Sequence, residues 1–242
     1  MLKSMAVAVA TIALAAGLSA QGAFTPARFV VGTLPAFPDL AVGGGQVILE
    51  LNVGADGRVA AVTVLRTMPP FTAPMSDAVR DWQFVPAEEE PEPERGAPPG
   101  RPQRVASKVL VAAWFGPTFG EFSKDVGSES DQTPFPLTIG APSFPLQAHY
   151  AGTVLVEARV DASGSVSDAT VVKAAPPYDD AARDGAMRWR FRPARVRGRS
   201  VATRAYLVFG FSPALLNNSP NFTTIAPNPP PPPPGAPLPA QR

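Results

Sequence analysis

The sequence predicts an α+β protein made of two tandem β-β-α-β units, each a three-stranded antiparallel sheet with a helix packed on one face. The first of three observations is an internal repeat. The segment Trp-Gln-Phe-Val-Pro-Ala at 82–87 recurs as Trp-Arg-Phe-Arg-Pro-Ala at 189–194, about 107 residues later. Solenoid repeats have periods of about 20–50 residues, so this spacing indicates a small domain that occurs twice. The register holds without a gap between 35–87 and 142–194.

The second observation is a predicted hairpin at the start of each unit. Turn residues at 54–57 and 161–164 separate the first strands from β-branched second strands at 59–65 and 166–172. Apolar residues alternate along the first strands and predict one buried face: Val47, Leu49, Leu51 and Val53 in the first unit, and Val154, Val156, Ala158 and Val160 in the second.

The third observation is an apolar stripe at helical spacing after each hairpin. It comprises Phe71, Met75, Ala78, Val79 and Trp82 in the first unit, and Tyr178, Ala182, Ala186 and Trp189 in the second. The tryptophans and the following phenylalanines are predicted to anchor the cores, because large aromatic residues dominate small cores. Last strands are predicted at 105–115 and 201–211. Units of this size bury little surface, so we expect them to pack together or to need a partner.

The predicted domain boundaries follow from composition. The first unit spans 35–115 and carries an acidic, Pro-rich insert at 88–102, which is predicted to be a disordered, solvated loop. A linker at 116–141, rich in Gly, Ser, Pro and Asp, leads to the second unit at 142–211. Residues 212–242 form a Pro-rich tail that is predicted to be disordered, and its proline run favours an extended conformation.

The first 22 residues are predicted to be a secretory signal peptide. A short basic start precedes an apolar run and then small residues before a polar one. The alternative is a retained N-terminal anchor, because the apolar run approaches the length that spans a bilayer. In both cases the body of the protein lies outside the cytoplasm. The predicted location is the periplasm, with an inner-membrane anchor as the alternative.

The composition gives no sign of catalysis. The net charge is +1, there is no cysteine, and the single histidine, His149, has no acidic or histidine partner at metal-ligand spacing. No phosphate-binding loop or nucleophile elbow occurs. We therefore expect no enzyme activity, no cofactor, no metal and no nucleic-acid partner. Eight arginines between 183 and 204 are interpreted as a solvated face, with the hypothesis that the acidic residues at 88–94 dock on it.

The order of elements resembles the TonB C-terminal domain family, most clearly in the second unit. The resemblance rests on Phe-Pro at 144–145, the turn at 160–166, the Trp-Arg-Phe-Arg-Pro-Ala segment and the last apolar strand ending at 209–211. It implies a periplasmic module that binds a short peptide segment of an outer-membrane transporter, or another envelope protein, by strand addition. The implied binding edge is the last strand of the second unit, with Ala202, Arg204, Tyr206 and Val208 as candidate residues.

Three functions remain open at this point. The favoured one is a non-catalytic periplasmic protein that binds a peptide or protein partner in TonB-dependent outer-membrane transport. The second is a membrane-anchored energy transducer, which requires residues 1–22 to be retained. Residues 1–24 lack the histidine expected of such an anchor, and the proline run lies at the C-terminus instead of between anchor and domain. The third is a structural scaffold of the cell envelope.

Overall fold

The computed structural model describes residues 24–36, 44–91, 100–116, 130–145 and 150–212. The predictions for the N-terminal segment, for the Pro-rich tail beyond residue 212 and for His149 lie outside the described residues, as does most of the acidic insert. The fold is mixed, with many strands and two short helices.

The described residues form fifteen strands and two helices. In the first half they are β1 (Phe24–Thr25), β2 (Arg28–Val31), β3 (Gly45–Val53), β4 (Val59–Arg66), α1 (Thr72–Arg80), β5 (Gln83–Val85), β6 (Ala87–Glu89), β7 (Gln103–Val105) and β8 (Ser107–Phe115). In the second half they are β9 (Phe135–Thr138), β10 (Gly152–Val160), β11 (Val166–Lys173), α2 (Asp179–Met187), β12 (Arg190–Arg192), β13 (Ala194–Val196), β14 (Arg199–Val201) and β15 (Thr203–Phe211).

One six-stranded sheet runs through both halves, in the order β11-β10-β15-β8-β3-β4. Each half contributes three antiparallel strands, and the halves join through a parallel pairing of β8 with β15. We call this pair the seam. The predicted separate three-stranded sheets are thus fused edge to edge. The fusion agrees with the small size of each unit, because joining the sheets buries apolar strands that an isolated unit would expose.

The two helices lie on opposite faces of this sheet. Neighbouring residues of a strand point to opposite faces. On β10, Val154 and Val156 pack in the same cluster as α2, whereas Leu155 packs in the cluster that contains α1. On β3, Ile48 packs with the α2 cluster, although the residues next to it pack with α1. The first strand of each half, β3 or β10, is therefore buried on both faces.

Two segments for which no strand was predicted, one before the first unit and one in the linker, contribute strands. Residues 24–34, the first arm, contain β2, which pairs with β5. Residues 130–140, the second arm, contain β9, which pairs with β12. The indole Nε1 of Trp82 donates to the Thr33 carbonyl at 2.7 Å, and that of Trp189 donates to the Gly140 carbonyl at 3.2 Å. Both tryptophans are 1 % exposed, which confirms them as core residues.

Each hairpin turn contains a glycine that no other residue can replace without strain. Gly57 and Gly164 have φ values of 80° and 87°, in the left-handed region that favours glycine. A Cβ at either position would overlap the carbonyl oxygen of the phenylalanine in the next short strand. The backbone amide of Phe84 donates to the Gly57 carbonyl, and that of Phe191 donates to the Gly164 carbonyl, each at 2.8 Å. The turn is thereby fixed against the strand that follows the helix.

Candidate binding surface

The strand predicted to be an open binding edge is internal. Arg204, Tyr206 and Val208 lie on β15, and Ala202 immediately precedes this strand. β15 pairs with β10 on one side and with β8 on the other, so its backbone groups are occupied. The expectation of a free edge here is wrong for this conformation, because the sequence could not show that the last strands of the two halves pair with each other. Peptide binding by these residues stays a prediction.

Tyr206 is fully buried at the centre of a polar cluster. Its hydroxyl accepts a hydrogen bond from the Phe29 amide at 2.7 Å and donates to Glu157 Oε2 at 3.0 Å. Its ring lies 5.6 Å from that of Phe84 at an interplanar angle of 70°. Burial, and then the nearby Glu157 carboxylate, raise the pKa of Tyr206 far above its usual value. The phenol therefore stays protonated and keeps the first arm in place.

Arg204 completes this cluster. Its Nε donates to Glu157 Oε1 at 2.9 Å and its Nη1 donates to the Pro26 carbonyl at 2.8 Å. Its side chain is 18 % exposed. Val208, by contrast, is completely buried opposite Ala113 on β8, while Ala202 is exposed. The predicted residues thus divide into three that hold the molecule together and one on the surface.

The first half contains a corresponding cluster around Glu50. This carboxylate accepts from Lys108 Nζ at 2.7 Å and from Thr133 Oγ1 at 2.8 Å. In each cluster a carboxylate on the first strand binds a cation on the last strand. Glu50 also binds the second arm directly through Thr133, whereas Glu157 is connected to the first arm through Tyr206 and Arg204. Sequence reasoning missed both clusters. The available signal was the glutamate at the same place in each first strand, flanked by apolar residues.

The outer strands β4 and β11 are the edges of the six-stranded sheet. The edge of β4 is uncharged from Val59 to Leu65, and Val64 is 44 % exposed. β11 carries Asp168, which pairs with Arg159 at 3.7 Å, and Lys173, which donates to the Gly32 carbonyl. Charged residues protect sheet edges from pairing with other strands. β4 is therefore the less protected of the two edges.

The arginines of the second half have mixed surroundings. Arg183 pairs with Asp180 on the surface of α2 at 3.1 Å, and Arg188 donates to the Ala141 carbonyl at 2.7 Å. Arg197 binds Glu89, in the predicted acidic insert, at 2.9 Å. This ion pair supports the hypothesis that the insert docks on the arginine face.

Comparison with known families gives a match over the second half of the chain. Residues 141–213 match the model described as Gram-negative bacterial TonB protein C-terminal, which covers β10 to β15 and α2. Residues 35–115 lie outside the match, so a second copy there stays a proposal. Comparison with curated proteins found no match.

The matched family is a non-enzymatic, transport-related domain, and it implies a location in the Gram-negative envelope. Within the described ranges, neither helix is long and apolar enough to cross a membrane. Residues 141–213 are therefore similar to a TonB C-terminal domain, and this similarity indicates a role in TonB-type envelope transport.

Proposed function

We propose that this protein is a non-catalytic periplasmic module that binds an extended segment of an outer-membrane transporter, or of another envelope protein, by strand addition. The observation that carries the proposal is the family match over 141–213 on a sheet whose outer strands have an unpaired side. An unpaired edge offers backbone donors and acceptors to an extended peptide. We also propose that residues 35–115 are a divergent second copy, because their elements follow the same order and use the same tryptophan and glycine contacts.

The β4 edge is the favoured site. It continues the six-stranded sheet, it carries no charge from Val59 to Leu65, and β-branched residues there suit pairing with another strand. A strand that joined β4 would leave the seam intact. The partner segment that fits is extended and uncharged, with β-branched residues.

Binding at β15 requires the seam to open, and the free-energy cost of exposing its buried side chains opposes this. A peptide with micromolar affinity supplies about 8 kcal/mol. Opening the seam would expose buried side chains such as Phe115, Tyr206 and Val208. Each large apolar side chain costs about 1.5–3 kcal/mol to expose, so these three already cost about 4.5–9 kcal/mol, which is comparable to what the peptide supplies. Strand addition at an outer edge has no such cost.

An engineered disulfide across the seam distinguishes binding at β4 from binding at β15. The chain has no cysteine, so Ala113→Cys with Val208→Cys introduces a single possible disulfide between directly paired positions of β8 and β15. We would measure fluorescence anisotropy of labelled peptides from transporter N-terminal segments, with oxidised and reduced protein. Binding at β4 predicts equal affinity in both states. Loss of binding on oxidation, with recovery on reduction, would assign the site to β15.

Edge variants test β4 directly. Val64→Lys places a charge on the exposed β4 edge, and we expect about tenfold weaker peptide binding because a charged edge residue opposes strand pairing. Thr170→Lys is the matched control, since Thr170 is an exposed residue of β11. Equal affinity for both variants and the native chain would refute β4 as the site. No binding of any transporter peptide would leave the scaffold function as the better explanation.

The energy-transducer alternative depends on residues 1–22. Intact mass and membrane fractionation of the native protein test it. A mature start near residue 21 in the soluble periplasmic fraction supports the proposal. An intact Met1 in the inner membrane would support the transducer instead.

A further inference from the structure

A cationic cleft lies at one end of the seam, and Arg204 of β15 is part of its lining. Its volume is about 270 Å³, and it is bounded by the first arm, the starts of β8 and β15, and the β13–β14 hairpin. Charged and polar side chains that line it include Glu89, Ser107, Lys108, Arg195, Arg197 and Arg204. Four cations thus face one carboxylate in this lining.

The cations of the cleft are partnered to different degrees. Lys108 and Arg204 are held by the buried carboxylates Glu50 and Glu157. Arg197 binds Glu89, whose side chain is 28 % exposed and therefore open to exchange with another carboxylate. Arg195 is exposed, and its guanidinium has no ion pair with the described residues. The cleft thus already binds carboxylates and has capacity for another.

Ser107 adds an unused hydrogen-bonding group. Its hydroxyl is buried and has no hydrogen-bond partner within the part of the chain that the structure describes. A buried hydroxyl without a partner is costly, so a ligand that supplies an acceptor is favoured there. A neighbouring hollow of about 250 Å³ shares Ser107 and Lys108 with the cleft and extends to Ala60 on β4. The cleft and this hollow adjoin at Ser107 and Lys108, and together we call them the groove.

We propose that this groove binds an acidic, extended peptide segment through its carboxylate groups. Each hollow is smaller than the 300–1,000 Å³ typical of drug-sized ligands, so each accommodates side chains and not a compact molecule. Charge-assisted hydrogen bonds from arginine to carboxylate are stronger than neutral ones and have matching planar geometry. Glu89 is then an internal competitor at the position that a ligand carboxylate would take. Its charged groups Arg195 and Arg197 lie in the β13–β14 hairpin, so variants of these residues leave the β4 edge unchanged.

The test measures binding of fluorescein-labelled tetraglutamate amide to the full chain by anisotropy, with tetraglutamine amide as the uncharged probe. We expect salt-sensitive binding of tetraglutamate alone. Arg195→Gln with Arg197→Gln should weaken it about tenfold. Arg183→Gln with Arg188→Gln removes the same charge elsewhere and should leave it within about twofold of the native chain.

A third variant separates a specific site from general basicity. Glu89→Gln removes the competitor and should strengthen binding about threefold, as expected for release of a partly exposed ion pair. Weaker binding in Glu89→Gln would overturn the proposal. So would equal losses in the two arginine pairs. Binding of anionic phosphatidylglycerol vesicles, but not of tetraglutamate, would assign the cleft to lipid phosphates and would also overturn it.

Discussion

Removing the hydroxyl of Tyr206 tests whether the buried polar cluster holds the two halves together. Tyr206→Phe keeps the ring packed against Phe29 and Phe84 while deleting one oxygen. The Phe29 amide then loses its acceptor at 2.7 Å, and Glu157 Oε2 loses its donor at 3.0 Å. Both groups stay buried, so water does not replace the lost partner.

The expected loss of stability follows from those two groups. A buried polar group left without a partner costs about 1–3 kcal/mol. The two costs overlap because the carboxylate keeps its ion pair with Arg204 at 2.9 Å. We therefore expect the free energy of unfolding to fall by about 2–4 kcal/mol, which is large beside the total of about 5–15 kcal/mol typical of a domain.

Urea denaturation followed by tryptophan fluorescence and by circular dichroism measures this change. Tyr150→Phe is the matched control, because Tyr150 is 71 % exposed and its variant should lie within about 0.5 kcal/mol of the native protein. A loss below about 0.5 kcal/mol in Tyr206→Phe would refute the reasoning. Glu157→Gln combined with Tyr206→Phe should then show a coupling of about 0.5–3 kcal/mol, as residues in direct contact do.

Two further predictions follow from the same structure. Because the pKa of Tyr206 is raised above the ordinary value of 10.0, its contribution to stability is complete below about pH 10 and declines as the pH rises further, by up to about 1.4 kcal/mol per pH unit. Urea titrations at several alkaline pH values should show a steeper decline for the native chain than for Tyr206→Phe, and parallel declines would contradict the assignment. Gly164→Ala should destabilise the protein by about 2–4 kcal/mol, because the residue has a φ of 87° and its Cβ would overlap the Phe191 carbonyl. Gly198→Ala, with a φ of 78° but no atom near its Cβ, should cost only about 1 kcal/mol, and equal losses would show that the steric contact is unimportant.

The sequence predicted the local elements well, since each depends on nearby residues. The hairpins, the two helices and the buried tryptophans follow from apolar periodicity and from turn residues such as Gly57 and Gly164. The arms were missed because β2 and β9 are four residues long each, too short to show a strand period. Their pairing with β5 and β12 is a tertiary contact that local pattern does not encode.

The candidate site was less predictable for the same reason. Whether β15 is an edge depends on β8, a strand about 96 residues earlier in the chain, and a strand's own sequence does not reveal its neighbour. The glutamates Glu50 and Glu157 gave the one usable hint. A charged residue at the centre of a predicted apolar strand, repeated in both halves, indicates that the strand is covered on both faces. It also indicates that another segment of the chain provides a hydrogen-bonding or charged partner for the carboxylate.

The seam explains why two small units remain attached. The last strands β8 and β15 are apolar along most of their length, and each would be an aggregation-prone edge in an isolated unit. Their parallel pairing gives the backbone groups of both strands hydrogen-bond partners. It also places α1 and α2 on opposite faces of the sheet. The apolar cluster around each helix therefore includes residues from strands of the other half. Of the outer strands, β11 carries Asp168 and Lys173, whereas β4 is uncharged from Val59 to Leu65. We expect this asymmetry to favour β4 over β11 for pairing with a partner strand.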